Sequence, residues 1–330
     1  MKNLTKNLIT LLFLTTLFCG YTSNAQDSTS TSNSEFDLVV QYLEANGNFI
    51  NSEAAPAIVT ADEIKENLKN KKYLTIDIRS ESWFEYGHIK NAKNLKAENL
   101  LTYFQNDINP EEFDKITIVC YSGQSAAYFA GLLRLYGYDN VYNLKWGMSS
   151  WDEEFAANIW IKNTKDDFLD QLETTVNVMP EKGASPKLNT GKTTGEEILK
   201  ERIKEAFTKP YKEYITKSDV FFENPADFYV MNYVNEEVYN YGHLKGAVRY
   251  EPSASMASTA DLLTLPTDKK IVVNCLTGQN AAYVVAYLNV LGYDVSNFAY
   301  GSNAVMNSVL VEKGWNGFTK SEIKGYPIVE

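Results

Sequence analysis

Apolar positions along this chain come in short dense runs separated by amphipathic stretches. Residues 73–78 (YLTIDI) and 115–119 (KITIV) are runs rich in β-branched residues, and 228–231 (FYVM) and 270–274 (KIVVN) look alike further on. Runs this short and this apolar predict strands buried on both faces. A shorter run, Val141–Leu144, predicts one more strand. Between them lie Ala- and Leu-rich stretches with helical spacing. Ser125–Tyr136 is predicted to end at Gly137, and Ala281–Leu291 at Gly292, each glycine being placed to take the left-handed cap. Thr60 followed three residues later by Glu63 predicts a capped helix start. Residues 35–56 read as an extra helix and loop, and Glu196–Phe207 as another helix. Strands alternating with helices predict an α/β fold with a largely parallel sheet.

The pattern occurs twice. Cys275 lies 155 residues after Cys120, and His243 lies 155 after His88, the chain having only these two histidines. YGHI at 86–89 matches YGHL at 241–244, and YGYD at 136–139 matches LGYD at 291–294. A repeat this long is a domain and not a solenoid unit. The expected organisation is a leader over 1–25, a tether and extension over 26–56, domain 1 over 57–160, a linker with a helix over 161–210, and domain 2 over 211–330.

Composition narrows the classes. A hydrophobic content of 44% with 13% aromatics is that of a packed globular protein, not a disordered one. A net charge of −11 with no basic cluster argues against nucleic acid as a partner. Lys2 and Lys6, an apolar run from Leu8 to Phe18, and Ser23-Asn24-Ala25 before Gln26 read as an export signal. The run is short for a bilayer, so no stable membrane span is expected. The expected location is periplasmic or secreted, with a lipid anchor at Cys19 as the alternative. Only Cys120 and Cys275 remain after cleavage, and their equivalent positions in separate domains argue against a disulfide between them.

Chemistry concentrates at those two cysteines. CYSGQSA at 120–126 and CLTGQNA at 275–281 each follow a strand-like run and open a helix-like stretch. A thiol there faces the backbone N–H groups of a loop and the positive end of a helix, both of which favour a thiolate. No third ligand accompanies the histidines, so no metal is expected, and no cofactor is implied.

The ordered set of landmarks resembles the tandem two-domain form of the rhodanese-type sulfurtransferases. The first unit carries Asp77-Ile78-Arg79, Glu85 to Ile89, Ile118-Val119-Cys120 with its loop, and Leu144 to Gly147 with Trp151. The second is a weaker match: Asn232 and Val234 stand where Asp77 and Arg79 stand. The resemblance implies two tandem domains, each a mainly parallel sheet flanked by helices. It implies a persulfide on Cys120, formed from a small anionic sulfur donor such as thiosulfate and passed to a thiol or protein acceptor, with domain 2 partly degenerate and Cys275 a second catalytic candidate. Tyr121, Ser122, Gly123, Gln124, Ser125 and Ala126 would wrap the sulfur, with Arg79 beside it. Asp77, His88 and His243 are expected to be structural. The loops depart from the family's usual forms in lacking basic residues after either cysteine, which leaves the donor open.

Two other readings compete. A phosphatase or arsenate reductase needs an Arg closing the loop around its oxyanion, and Ala126 and Ala281 stand six after the cysteines instead. A persulfide carrier, redox sensor or protein-docking module would need the loops but no catalysis.

Overall fold

The computed structural model describes residues 33–330. The export-signal reading and the Cys19 alternative lie outside the described residues. Two five-stranded sheets are present. The first contains β1 (Ile58–Val59), β2 (Tyr73–Asp77), β3 (Lys93–Asn94), β4 (Lys115–Val119) and β5 (Val141–Leu144), in the order β1-β5-β4-β2-β3. The second contains β6 (Ile215–Thr216), β7 (Phe228–Tyr233), β8 (Val248–Tyr250), β9 (Lys270–Asn274) and β10 (Val295–Phe298), in the equivalent order β6-β10-β9-β7-β8. Every pairing within the two sheets is parallel. In each sheet the cysteine-bearing strand, β4 or β9, sits at the centre. Its loop therefore opens at the carboxyl end of the sheet, where such folds place ligands.

The long elements follow the sequence pattern closely. Helices run from Gln124 to Tyr136 and from Gln279 to Val290, and Gly137 and Gly292 adopt φ of +118° and +91° beyond their ends. Thr60 caps the helix Ala61–Glu66 by accepting from the Glu63 amide at 3.2 Å. Four edge strands of two or three residues were not predicted. Such a piece has no periodicity to read, and only its neighbour in the sheet makes it a strand.

The two loop helices pack face to face, which joins the domains into one continuous core. Gly131 permits their close approach: a Cβ there would lie 3.1 Å from the Tyr283 ring and 3.2 Å from the Ala286 methyl. Almost every side chain of both helices is buried, because each has a sheet on one side and its counterpart on the other. On the same core, the helix Glu35–Ala45 packs against the linker helix Gly195–Phe207.

The segment after each domain crosses to the other one. After domain 1, Lys165 N–H donates to Asn303 O at 3.0 Å, and Glu173 and His243 exchange backbone hydrogen bonds, both 2.9 Å. After domain 2, Lys324 N–H donates to Ser150 O and Tyr326 N–H to Trp151 O, both at 2.9 Å. Trp151 Nε1 donates to Pro327 O at 3.1 Å. His88 and Val329 then exchange backbone bonds of 2.9 and 3.0 Å. Residues 324–329, expected within domain 2, thus bond to domain 1. Each histidine's backbone is the landing point of the other domain's tail.

This exchange makes the last seven residues a strap, not a frayed end. With a net worth of about 1 kcal/mol per buried hydrogen bond, ending the chain at Ile323 should cost about 2–5 kcal/mol. Urea unfolding monitored by tryptophan fluorescence reads this directly. An unchanged midpoint and slope would show that the strap contributes nothing.

Candidate active site

The chain leaves β4 at Val119, turns through Cys120–Gly123, and enters the helix at Gln124. Gly123 takes φ +85°, a conformation that costs little only for a residue without a Cβ. This turn points amides back at the thiol: Gly123 N–H donates to Cys120 Sγ at 3.1 Å and Ala126 N–H at 3.3 Å. The second loop repeats the geometry, with Gly278 N–H and Ala281 N–H both 3.2 Å from Cys275 Sγ. Gly278 has φ +71°. Both cysteines are free thiols.

Burial and amides pull each thiol in opposite directions. Burial pushes the Cys120 thiol up, against the Ser125 hydroxyl and the amides of Ala126, Ser122 and Gly123. Burial also pushes Cys275 up, against the amides of Ala281, Thr277, Gly278 and Asn280. Burial wins in both, so both thiols titrate above the ordinary cysteine value. The residues around the two sulfurs accordingly matter as much as the nest itself.

Those surroundings differ. Cys275 lines a cavity of about 540 Å3 formed between the domains. Domain 1 contributes Pro56, Ile58 and Lys145 to its wall, and domain 2 contributes Tyr233, Val234 and Leu276 among others. Cys120 does not line that cavity. The positions matching Val234 and Leu276 are Arg79 and Tyr121. Arg79 is buried, with its guanidinium 4.8 Å from the centre of the Phe155 ring and 6.0 Å from that of Tyr121. Tyr121 in turn packs edge-on against Trp83 at 5.9 Å, and its hydroxyl accepts from Ser80 N–H at 3.2 Å. The Cys120 loop also faces an interdomain cavity, of about 480 Å3, but it is Ser122 and Gln124 that line it, with Ile215, Lys217 and Tyr300 of domain 2 opposite, and not Cys120 itself.

The other predicted residues have specific places. Arg79 Nε lies 3.1 and 3.0 Å from the two Asp77 oxygens, and Nη2 bonds Asp77 at 2.8 Å and Gly87 O at 2.7 Å. The pair braces the end of β2 against the turn before His88, while Arg79 Nη1 has no partner among the described residues. His88 Nδ1 bonds Phe84 O at 2.9 Å and its ring stacks on Phe84. His243 Nδ1 bonds Tyr239 O at 2.8 Å and Nε2 bonds Thr175 O at 3.1 Å. Neither ring has a hydrogen bond to a cysteine. Among the described residues no group of three His, Cys, Asp or Glu could hold a metal.

Ser122 bonds within domain 1, whereas Gln124 serves the interface. Ser122 O accepts from Trp160 Nε1 at 3.0 Å. Gln124 Oε1 accepts from Tyr300 N–H at 2.8 Å and from Asn297 Nδ2 at 3.0 Å, both in domain 2. Gln279 Oε1 reciprocates, accepting from Trp146 N–H and Asn143 Nδ2 of domain 1, both at 3.1 Å. Sequence reasoning assigned Gln124 to the sulfur and did not single out Gln279, Lys145 or Tyr233. The repeated Gly-Gln dipeptide was visible in the sequence, but nothing along the chain shows that its amide crosses to the other domain.

The rhodanese-like domain family model matches residues 60–154 and 230–308, together more than half of the chain. The thiosulfate sulfurtransferase GlpE of Shewanella oneidensis is 33% identical over 99 residues, which is 30% of this chain and 94% of that protein. Two solved structures illustrate the range of similarity. A rhodanese-like domain protein from Staphylococcus aureus is 26% identical, covering 28% of this chain and 88% of that one, with a TM-score of 0.25. The 3-mercaptopyruvate sulfotransferase SseA of Escherichia coli is 17% identical, covering 73% of this chain and 97% of that one, with a TM-score of 0.26. With two parallel sheets, two amide-cradled cysteines and a family match in both halves, the chain belongs to the rhodanese-like sulfurtransferase family and carries two rhodanese-like domains in tandem.

Proposed function

We propose that this protein moves sulfane sulfur through a cysteine persulfide, and that Cys275 is the working thiol. The observation that carries the assignment is the interdomain cavity: of the two cradled sulfurs, Cys275 is the one that lines it. The sequence favoured Cys120, because domain 1 keeps the Asp77/Arg79 pair. That pair braces a turn, however, and the cavity beside its loop is lined by Ser122 and Gln124 and not by Cys120. The relative named thiosulfate sulfurtransferase supports the reaction class.

In the first half-reaction the Cys275 thiolate attacks the outer sulfur of the donor. A new S–S bond forms, the old bond to that sulfur breaks, and its electron pair departs with the leaving group, sulfite when thiosulfate is the donor. In the second, a thiol or protein acceptor takes the outer sulfur and returns the thiolate. Each step leaves negative charge on sulfur at the mouth of the loop, where fixed N–H dipoles stabilise it without reorganising. Domain 1 supplies the far wall and shields the persulfide from bulk water. With residues 1–25 read as an export signal, the reaction belongs to the periplasm or the exterior.

The assignment separates the two cysteines experimentally. In a thiosulfate-to-cyanide assay, Cys275→Ser should lose at least about 100-fold in kcat/KM, or roughly 2.7 kcal/mol of transition-state stabilisation. Cys120→Ser should keep activity within about threefold. The reverse pattern would return the chemistry to domain 1, and equal retention by both variants would remove the persulfide altogether.

The same geometry predicts reactivity toward small alkylating agents. In the folded protein Cys275 should react with iodoacetamide faster than Cys120, read by peptide mass mapping. Only the thiolate reacts, and burial raises its pKa, so the rate should keep climbing as pH passes the ordinary cysteine value. A plateau already reached below about pH 8 would mean that the amides outweigh burial.

A further inference from the structure

The cavity at Cys275 is poorly suited to a small dianion. Its charged wall residues are Lys145 and Glu251, of opposite sign. Lys145 already has Glu322 at 3.6 Å and Asn316 Oδ1 at 3.4 Å. Glu251 is ion-paired with Arg249. At the position where domain 1 holds Arg79, the wall is Val234, and the residue after the cysteine is Leu276. Tyr233 presents a phenol whose pKa is pushed up to about 12 by burial, so it contributes no charge at neutral pH. Pro56, Ile58 and Pro252 add apolar surface, while Asn235, Thr277, Asn280 and Asn316 add polar groups without charge.

A thiosulfate ion in this space would trade its hydration for the loop amides and uncharged polar side chains, with one shared ammonium as its sole cation among the lining residues, and would face the Glu251 carboxylate. An unpaired charge moved from water to such a wall is strongly disfavoured. The volume, about 540 Å3, is also that of a pocket for a ligand of many heavy atoms, not for a five-atom ion. Building on the sulfur-transfer reading, we infer that the donor which charges Cys275 is an organic sulfane-sulfur compound with an apolar body and at most one negative charge, of the persulfide type R–S–SH.

The step balances without an external oxidant. The Cys275 thiolate attacks the terminal sulfur of R–S–SH and forms the new S–S bond. The donor's S–S bond breaks, its electron pair leaves on R–S⁻, and the proton stays on the transferred sulfur. R–S⁻ then takes a proton from water. The apolar body occupies the wall of Ile58, Val234 and Leu276 while the terminal sulfur meets the amide nest.

The test compares two stable donors that differ in body and charge, benzenethiosulfonate (one charge, aryl body) and thiosulfate (two charges). The full chain is used, with sulfur on Cys275 counted by intact mass and peptide mapping and turnover followed with cyanide. Wild type should show a kcat/KM at least roughly tenfold higher for benzenethiosulfonate. Val234→Arg, or Leu276→Lys if the former fails to fold, should raise kcat/KM for thiosulfate by roughly tenfold, as one added cation near a dianion predicts. Thiosulfate serving wild type equally well or better, with Cys275 still loaded, would overturn the donor assignment alone. No sulfur on Cys275 from either donor would overturn the sulfur-transfer reading beneath it as well.

Discussion

Both cysteine loops depend on a pair of buried glutamines that exchange places across the domain interface. Gln124 and Gln279 each stand four residues after a cysteine, at the start of the loop helix. Each side-chain oxygen accepts one backbone N–H and one asparagine amide from the opposite domain. All of these groups but the half-buried Tyr300 are buried, so breaking a bond among them strands a donor or an acceptor at about 1–3 kcal/mol apiece. The donors are themselves held in place: Trp146 and Tyr300 both have φ +63°, and the next residue, Gly147 or Gly301, lies against the carbonyl of the cysteine in its own domain. Loop, following turn and opposite domain therefore form one structure. A shift of either domain would move the amides that face the sulfur.

This coupling accounts for an unusual combination, a thiol cradle built twice on the same backbone with different access. Backbone geometry at the two sulfurs agrees to within about 0.1 Å in the donor distances. What changes is side-chain volume and charge around it. Arg79 demands Asp77, the Gly87 carbonyl and two aromatic rings to compensate its burial. With Val234 there is no charge to compensate, and Asn232 instead accepts a hydrogen bond from Asn274 at 2.8 Å. The domain that looks less like the family along its sequence is the one whose cysteine itself lines an interdomain cavity.

That reversal shows where sequence reading reached its limit. The central strands, the loop helices with their glycine ends, the duplication and both cysteine loops were legible, because each is set by local pattern: β-branched runs, helical spacing, a glycine at positive φ. Asp77 reads in the sequence as structural and Arg79 as a neighbour of the sulfur, whereas in the fold the two hold each other at the end of β2. The identity of the open site was not legible. It depends on which residues of each loop line the space between the domains, and on walls that the other domain lends, as Pro56 and Lys145 do at Cys275 and Ile215 and Lys217 do at the Cys120 loop. The crossing tails were illegible too, because the pairings of Glu173 with His243 and of Val329 with His88 leave no periodicity in the chain.

The opposed influences on the thiol suit a sulfur carrier better than a permanently ionised nucleophile. Burial holds the resting cysteine as a thiol, which protects it from adventitious oxidation. The amides remain aimed at the sulfur, and under the proposed sulfur transfer their stabilisation is realised when negative charge develops there during attack or on the persulfide. A preorganised dipole set costs nothing to reorient at that moment. Selectivity then passes to the wall of the cavity. If the nest stabilises any anionic sulfur, the size, charge and apolar surface of what can enter decide which donor reaches it, and those properties are set by Val234, Leu276 and the residues that domain 1 presents across the cleft.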